Sequence, residues 1–179
     1  MVDPLTTRLW GFRLLYVGLV ALFVFLRLLP FGAHADSLPG PDFALALTFA
    51  WLMRRPEYVP APLIVAVFLV LDLLFHQAPG LWTALVLLGT EFLRARQATT
   101  REIPFALEFG LVAGVLAAMC AMNHLILSLL FVERPPFGLY LLQAAFTLLV
   151  YPVVGLISAL ALNIRRATVE ELALRGERA

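Results

Sequence analysis

Residues 43–75, FALALTFAWLMRRPEYVPAPLIVAVFLVLDLLF, decide how the chain folds. Two apolar runs, Phe43 to Met53 and Pro62 to Phe75, flank a gap marked by Arg54, Arg55, Pro56 and Pro60. Each falls short of the roughly 20 residues that cross a bilayer unaided. They form either two short crossings or one re-entrant pair. Charge favours two crossings, because Arg54 and Arg55 mark one side of a membrane while His34 and Asp36, ahead of the first run, mark the other. Short spans survive where neighbouring protein covers their ends or flanking arginines reach outward.

The same reading extends over the chain. All thirteen basic residues are arginine. Most sit at the N-terminus (Arg8, Arg13) and after the second, fourth and sixth apolar stretches (Arg54, Arg55; Arg94, Arg96, Arg101; Arg165, Arg166, Arg175, Arg178). The alternate gaps hold only Arg134, with Arg27 at the end of the first stretch. Short basic loops are retained on the cytoplasmic side of a membrane. The expectation is therefore an all-α integral membrane protein with both termini cytoplasmic. A single six-helix bundle would occupy residues 1–164, with short, uneven spans near 14–30, 42–54, 61–76, 80–94, 104–131 and 139–164, and a short cytoplasmic tail would follow at 165–179.

A mean hydropathy of +0.93 and 62% apolar residues lie outside the range of soluble domains, in which about half the residues are apolar. The arginines come in twos and threes between spans and make no continuous basic face for nucleic acid. A single cysteine, Cys120, excludes an internal disulfide and reads as a small apolar side chain in the fifth span. The first apolar run follows Arg8 and Arg13 as a secretory signal would, but it lacks a small-residue cleavage site and reads as a retained anchor.

Pro39-Gly40-Pro41 interrupts helix ahead of Asp42, which is placed to cap the second span. Pro79-Gly80 and Pro135-Pro136 mark the third and fifth gaps, and Thr168 to Glu171 has capping-box spacing in the tail. Small residues recur every four positions at Gly110, Gly114 and Ala118, and again at Gly155, Ala159 and Asn163. That spacing puts each set on one helix face suited to close packing. Packing within the bundle is the expectation, and an intermolecular interface, including a homo-oligomer, the alternative.

Charges at membrane depth cost about 2.5–3.5 kcal/mol or more at mid-span. Arg27, Asp42 and Asp72 fall in one external layer, where an Arg27–Asp72 or Arg27–Asp42 pair would neutralise charge. Glu91 and Glu108 fall near the cytoplasmic ends of their spans, Glu91 within reach of Arg54, Arg55 or Arg94. His124 and Ser128 sit one turn apart on one helix, which supplies no oxyanion hole. No Gly-x-Ser-x-Gly, His-Glu-x-x-His or paired-cysteine motif occurs, so neither an enzyme, a metal nor a cofactor is expected.

Several passages together carry a family likeness: Leu28-Leu29-Pro30, Pro41-Asp42 before a short span ending Arg54-Arg55-Pro56, Val59-Pro60, Asp72-Leu73-Leu74, Pro79-Gly80-Leu81, and Tyr151-Pro152 breaking the last span before Arg165-Arg166. With the charge topology, the whole chain resembles the rod-shape-determining MreD family of bacterial inner-membrane proteins. The resemblance implies a non-enzymatic scaffold of the cell-elongation machinery that binds a single-span MreC-type protein and, through it, peptidoglycan polymerases. It also implies a fold similar to the substrate-binding subunits of energy-coupling-factor transporters. On this reading Arg27, Asp42, Asp72 and Gly80 form an external polar layer that sets helix packing and partner docking. The alternative function is a transporter-type substrate-binding subunit, with an outward cavity lined by Trp51, Trp82 or Tyr140 and served by Asp72, Asn123, His124 and Gln143.

Overall fold

A computed structural model describes residues 4–29, 39–75, 78–100, 105–131 and 136–161. His34, Asp36, His76, Arg101, Arg134, Pro135, Asn163 and the tail with its capping box lie outside these residues. The described residues are helical, with no strand. The helices are α1 (Pro4–Leu28), α2 (Phe43–Arg54), α3 (Ala61–Leu74), α4 (Leu81–Thr100), α5 (Phe105–Leu129) and α6 (Phe137–Ala161), with a 3-10 turn at Pro56–Tyr58. Three of them, over Thr6–Leu28, Phe105–Leu129 and Phe137–Leu160, are long and apolar enough to cross a membrane. This is a membrane protein by that measure.

The 12 residues of α2 rise only about 18 Å at 1.5 Å per residue, against a hydrocarbon core of about 30 Å. Its surroundings explain how so short a helix is kept. Every residue from Ala44 to Met53 is buried, and α2 packs against α1, α4, α6 and the 3-10 turn. A helix that is apolar all round belongs in an interior. Its few polar groups are matched. Thr48 commits its proton to the Ala44 carbonyl at 2.6 Å, so the Tyr16 hydroxyl is the donor in their 2.7 Å contact. Trp51 Nε1 donates to Ser158 Oγ on α6 at 3.0 Å.

Two helices outrun their apolar stretches. α1 begins at Pro4, where proline suits a first turn, and α4 runs to Thr100. Helix propensity continues through Glu91-Phe92-Leu93-Arg94-Ala95-Arg96 after hydropathy has ended. One expectation is corrected: Pro152 does not break α6, which is continuous across it. Proline removes one backbone donor, and packed neighbours hold such a helix together.

The arginine-rich end is organised around the 3-10 turn. Arg13 donates to the Glu57 carbonyl at 3.3 Å, Arg94 to the Val59 carbonyl at 2.8 Å, and Arg55 pairs with Glu57 at 3.6 Å. Phe12 stacks on Tyr58 with ring centroids 4.4 Å apart, and both meet Trp51 edge-on. Glu91 chooses Arg94 from its three candidate partners, at 3.0 Å.

Candidate functional site: a polar-lined cavity at the Asp72 end

The opposite end is built by capping. Asp42 is the N-cap of α2, and its Oδ1 accepts from the Leu45 N–H at 3.0 Å. Its own N–H donates to Thr147 Oγ1 on α6 at 2.9 Å, and that hydroxyl donates on to the Gln143 carbonyl at 2.7 Å. Asp72, on the last turns of α3, caps a different helix. Its Oδ2 accepts from the Gly80 N–H at 3.0 Å, the Thr83 N–H at 3.1 Å and the Thr83 hydroxyl at 2.8 Å. The carboxylate thereby satisfies donors that a helix N-terminus leaves unmatched and places negative charge at the positive end of α4. Gly80 has φ +85 with open space around it, so backbone conformation and not crowding requires glycine there.

These groups surround a cavity of about 1200 Å³ lined by all six helices or their ends. Arg27, Asp42, Asp72, Asn123 and Gln143 bring polar side chains to a wall otherwise built from groups such as Phe43, Phe75, Trp82 and Tyr140. Leu26, Arg27 and Phe43 are exposed at its edge, so the cavity communicates with the surface. The anticipated polar layer is thus brought together, with Gly80 attached through Asp72. The anticipated ion pair is not formed. No Arg27–Asp42 or Arg27–Asp72 contact falls within 4.0 Å among the described residues. The Arg27 guanidinium instead lies over the Phe75 ring, 4.5 Å from its centroid, a cation–π contact with the aromatic face.

Two residues named for the cavity lie elsewhere. Trp51 is fully buried in the aromatic cluster of the other end. His124 packs on Phe137 and Tyr140, with ring centroids 4.8 and 6.1 Å away, and borders a second cavity of about 350 Å³ together with Ser128. Among the described residues no group of three His, Cys, Asp or Glu side chains is placed to hold a metal.

The two small-residue faces part company. Gly155 is buried against Arg54: a Cβ there would meet the guanidinium at 2.6 Å. Packing within the bundle is the expectation for that face, and the neighbour is α2; Ala159 continues the face one turn on, half-buried. Gly110, Gly114 and Ala118 are all exposed, and a Cβ at either glycine would meet nothing within 4 Å. Packing within the bundle is therefore corrected for the α5 face. Four-residue spacing fixes a shared face but not its direction, and this one points outward.

Sequence reasoning missed the residues that mate with the carboxylates, Thr83 and Thr147, although Gly80 to Thr83 carries the spacing of a helix N-terminus. It also missed the Tyr151 hydroxyl donating to Glu108 Oε1 at 2.5 Å, which lets a carboxylate only 1% exposed sit in α5. No family model, no curated protein and no solved structure matches this chain.

Proposed function

We propose that the chain is a non-enzymatic scaffold of the bacterial cell-elongation complex. On this reading it crosses the cytoplasmic (inner) membrane six times with both termini in the cytoplasm. It binds a single-span MreC-type partner and helps organise peptidoglycan synthesis. The family resemblance in the sequence motivates the proposal. The observation that carries it is the outward face of α5, where Gly110, Gly114 and Ala118 leave open space. A partner helix could approach that backbone closely and gain packing contacts that lipid does not give.

The 1200 Å³ cavity favours a second reading, a small-molecule-binding subunit of an energy-coupling-factor-type transporter. A concave, mostly apolar site with a few convergent polar groups is how ligand pockets are built. Affinity purification of the tagged protein in mild detergent, with mass spectrometry of proteins and retained small molecules, separates the two. The scaffold predicts a stoichiometric single-span partner that is lost in Gly114→Leu. Copurifying ATPase subunits with a retained metabolite would replace it with the transporter reading.

A further inference from the structure

The face that α5 turns to the cavity runs Leu116, Cys120, Asn123, Leu127, a spacing that keeps all four on one side of a helix. Three of them make an ordinary apolar wall. Asn123 does not. It is 7% exposed, and its carboxamide forms no hydrogen bond among the described residues. Arg13 Nε, Asp72 Oδ1 and His124 Nδ1 also lack partners, but those atoms are enclosed and nothing can reach them. The Asn123 side chain is not enclosed in that way, and the surface it keeps lies on the cavity it lines. α6 brings a second carboxamide to the same wall through Gln143, half-buried and likewise without a side-chain hydrogen bond among the described residues. The neighbouring Thr147 hydroxyl is already occupied between the Asp42 N–H and the Gln143 carbonyl.

The chemistry of an occupant follows from these two groups. A carboxamide presents two N–H donors and a carbonyl acceptor and carries no charge. It is complementary to a group that offers a donor and an acceptor side by side, and it cannot balance a buried net charge. The charged residues of the wall have other work. Asp72 caps α4 through Oδ2, Asp42 caps α2, and Arg27 lies over Phe75 at the exposed edge. Phe43, Phe75, Trp82 and Tyr140 give the cavity flat apolar surface, against which a planar ring stacks or packs edge-on. We infer that the cavity binds a neutral planar solute with an amide-type edge, an adjacent N–H and C=O. That edge meets Asn123 and Gln143, and the ring lies among the aromatic side chains. A volume of about 1200 Å³ admits a fused or substituted ring with water beside it. The inference deepens the small-molecule-binding reading, rests on it, and is independent of partner capture by the α5 outer face.

The test uses the full chain in nanodiscs, titrated with 2-naphthamide, 2-naphthoate and 2-naphthamidine. The three share one ring and present a neutral amide, an anion and a cation. Saturation-transfer NMR reads binding, with empty nanodiscs as the background. The amide should bind about tenfold more tightly than either ion, and Asn123→Leu should weaken it about tenfold, the scale of one hydrogen bond left unmade. Melting supplies a readout that a packing role would not share. Asn123→Leu removes a buried polar group that meets nothing and faces open space, so it should be at least as stable as wild type. A lowered melting temperature would assign Asn123 to packing and overturn the inference, as would wild-type amide affinity in the variant. Equal affinity for the three probes, or none above background, would mean a cavity that holds water without selecting a ligand and would also overturn it. Tighter binding of the amidine or the naphthoate would overturn the amide edge alone, leaving a small-molecule site recognised through Asp42 or Arg27. The transporter reading is decided apart from these probes, by copurifying ATPase subunits.

Discussion

Replacing Asp72 with alanine should loosen the start of α4, and the size of the effect can be worked from its bonds. The substitution strands the Gly80 and Thr83 N–H groups, which reach Oδ2 at 3.0 and 3.1 Å, and frees the Thr83 hydroxyl. An orphaned buried donor costs about 1–3 kcal/mol, so two cost about 2–6 kcal/mol by the same rule. Removing the unmatched Oδ1 returns about 1–3 kcal/mol, its share of the desolvation cost. Taking the middle of each range, the net expectation is destabilisation of about 2 kcal/mol, or roughly 4–8 °C in melting temperature on the scale for a chain of this size. Asp72→Asn keeps an acceptor oxygen for α4 and should lose less, about 1 kcal/mol. Thr83→Val removes only the hydroxyl bond and should lose about 1 kcal/mol as well. The protein carries its own reporter. Cys120 is its single cysteine and is only 4% exposed, so a thiol-reactive dye brightens as the bundle opens. An Asp72→Ala melting temperature within 2 °C of wild type would refute the capping account, as would equal losses in the alanine and asparagine variants.

Four further outcomes follow from named contacts. Trp51→Phe and Ser158→Ala should each cost about 1 kcal/mol by breaking one buried hydrogen bond, and the double variant should lose less than their sum in the same melting assay. Tyr151→Phe should destabilise more than Glu108→Gln, by about 1–2 kcal/mol, because it strands a buried carboxyl oxygen whereas glutamine keeps an acceptor for the Tyr151 hydroxyl; melting of the two side by side checks the order. Gly80→Ala should cost about 1 kcal/mol from its positive φ, although nothing crowds the site. Gly114→Leu, on an open surface, should shift stability by no more than about 0.5 kcal/mol while abolishing partner copurification.

The long helices were legible because their length is set by the solvent. α1, α5 and α6 each carry an apolar run long enough to span, and no soluble alternative accommodates it. The interior position of α2 was not legible. Phe43 to Met53 would look the same facing lipid as facing protein, since both surroundings demand apolar side chains and differ only in packing. The same ambiguity hid the direction of the α5 stripe. At the candidate site, charge made Arg27, Asp42 and Asp72 conspicuous at membrane depth, and the fold gathers them. Their partners were obscure because a threonine mate for a carboxylate is ordinary in composition. Asp72 meets Gly80 and Thr83 across a turn, where only the fold decides which donors point inward.

The two ends of the bundle hold their charges in different ways. At the arginine-rich end Arg13 and Arg94 meet backbone carbonyls at the 3-10 turn and Glu91 meets Arg94, while the Nε atoms of Arg13 and Arg94 have no hydrogen-bond partner. At the other end two carboxylates and a guanidinium line one wall, Arg27 acting on Asp42 through space without a contact within 4.0 Å. Direct pairing of Arg27 with Asp72 would compete with the three donors that already hold Oδ2, and with Arg27 exposed such a pair would contribute only about 0–1 kcal/mol. Capping α4 accounts for one oxygen of Asp72 and leaves the other unexplained. Asp72 is kept for the helix it caps: its Oδ2 alone meets three donors at the start of α4, which no apolar residue could match.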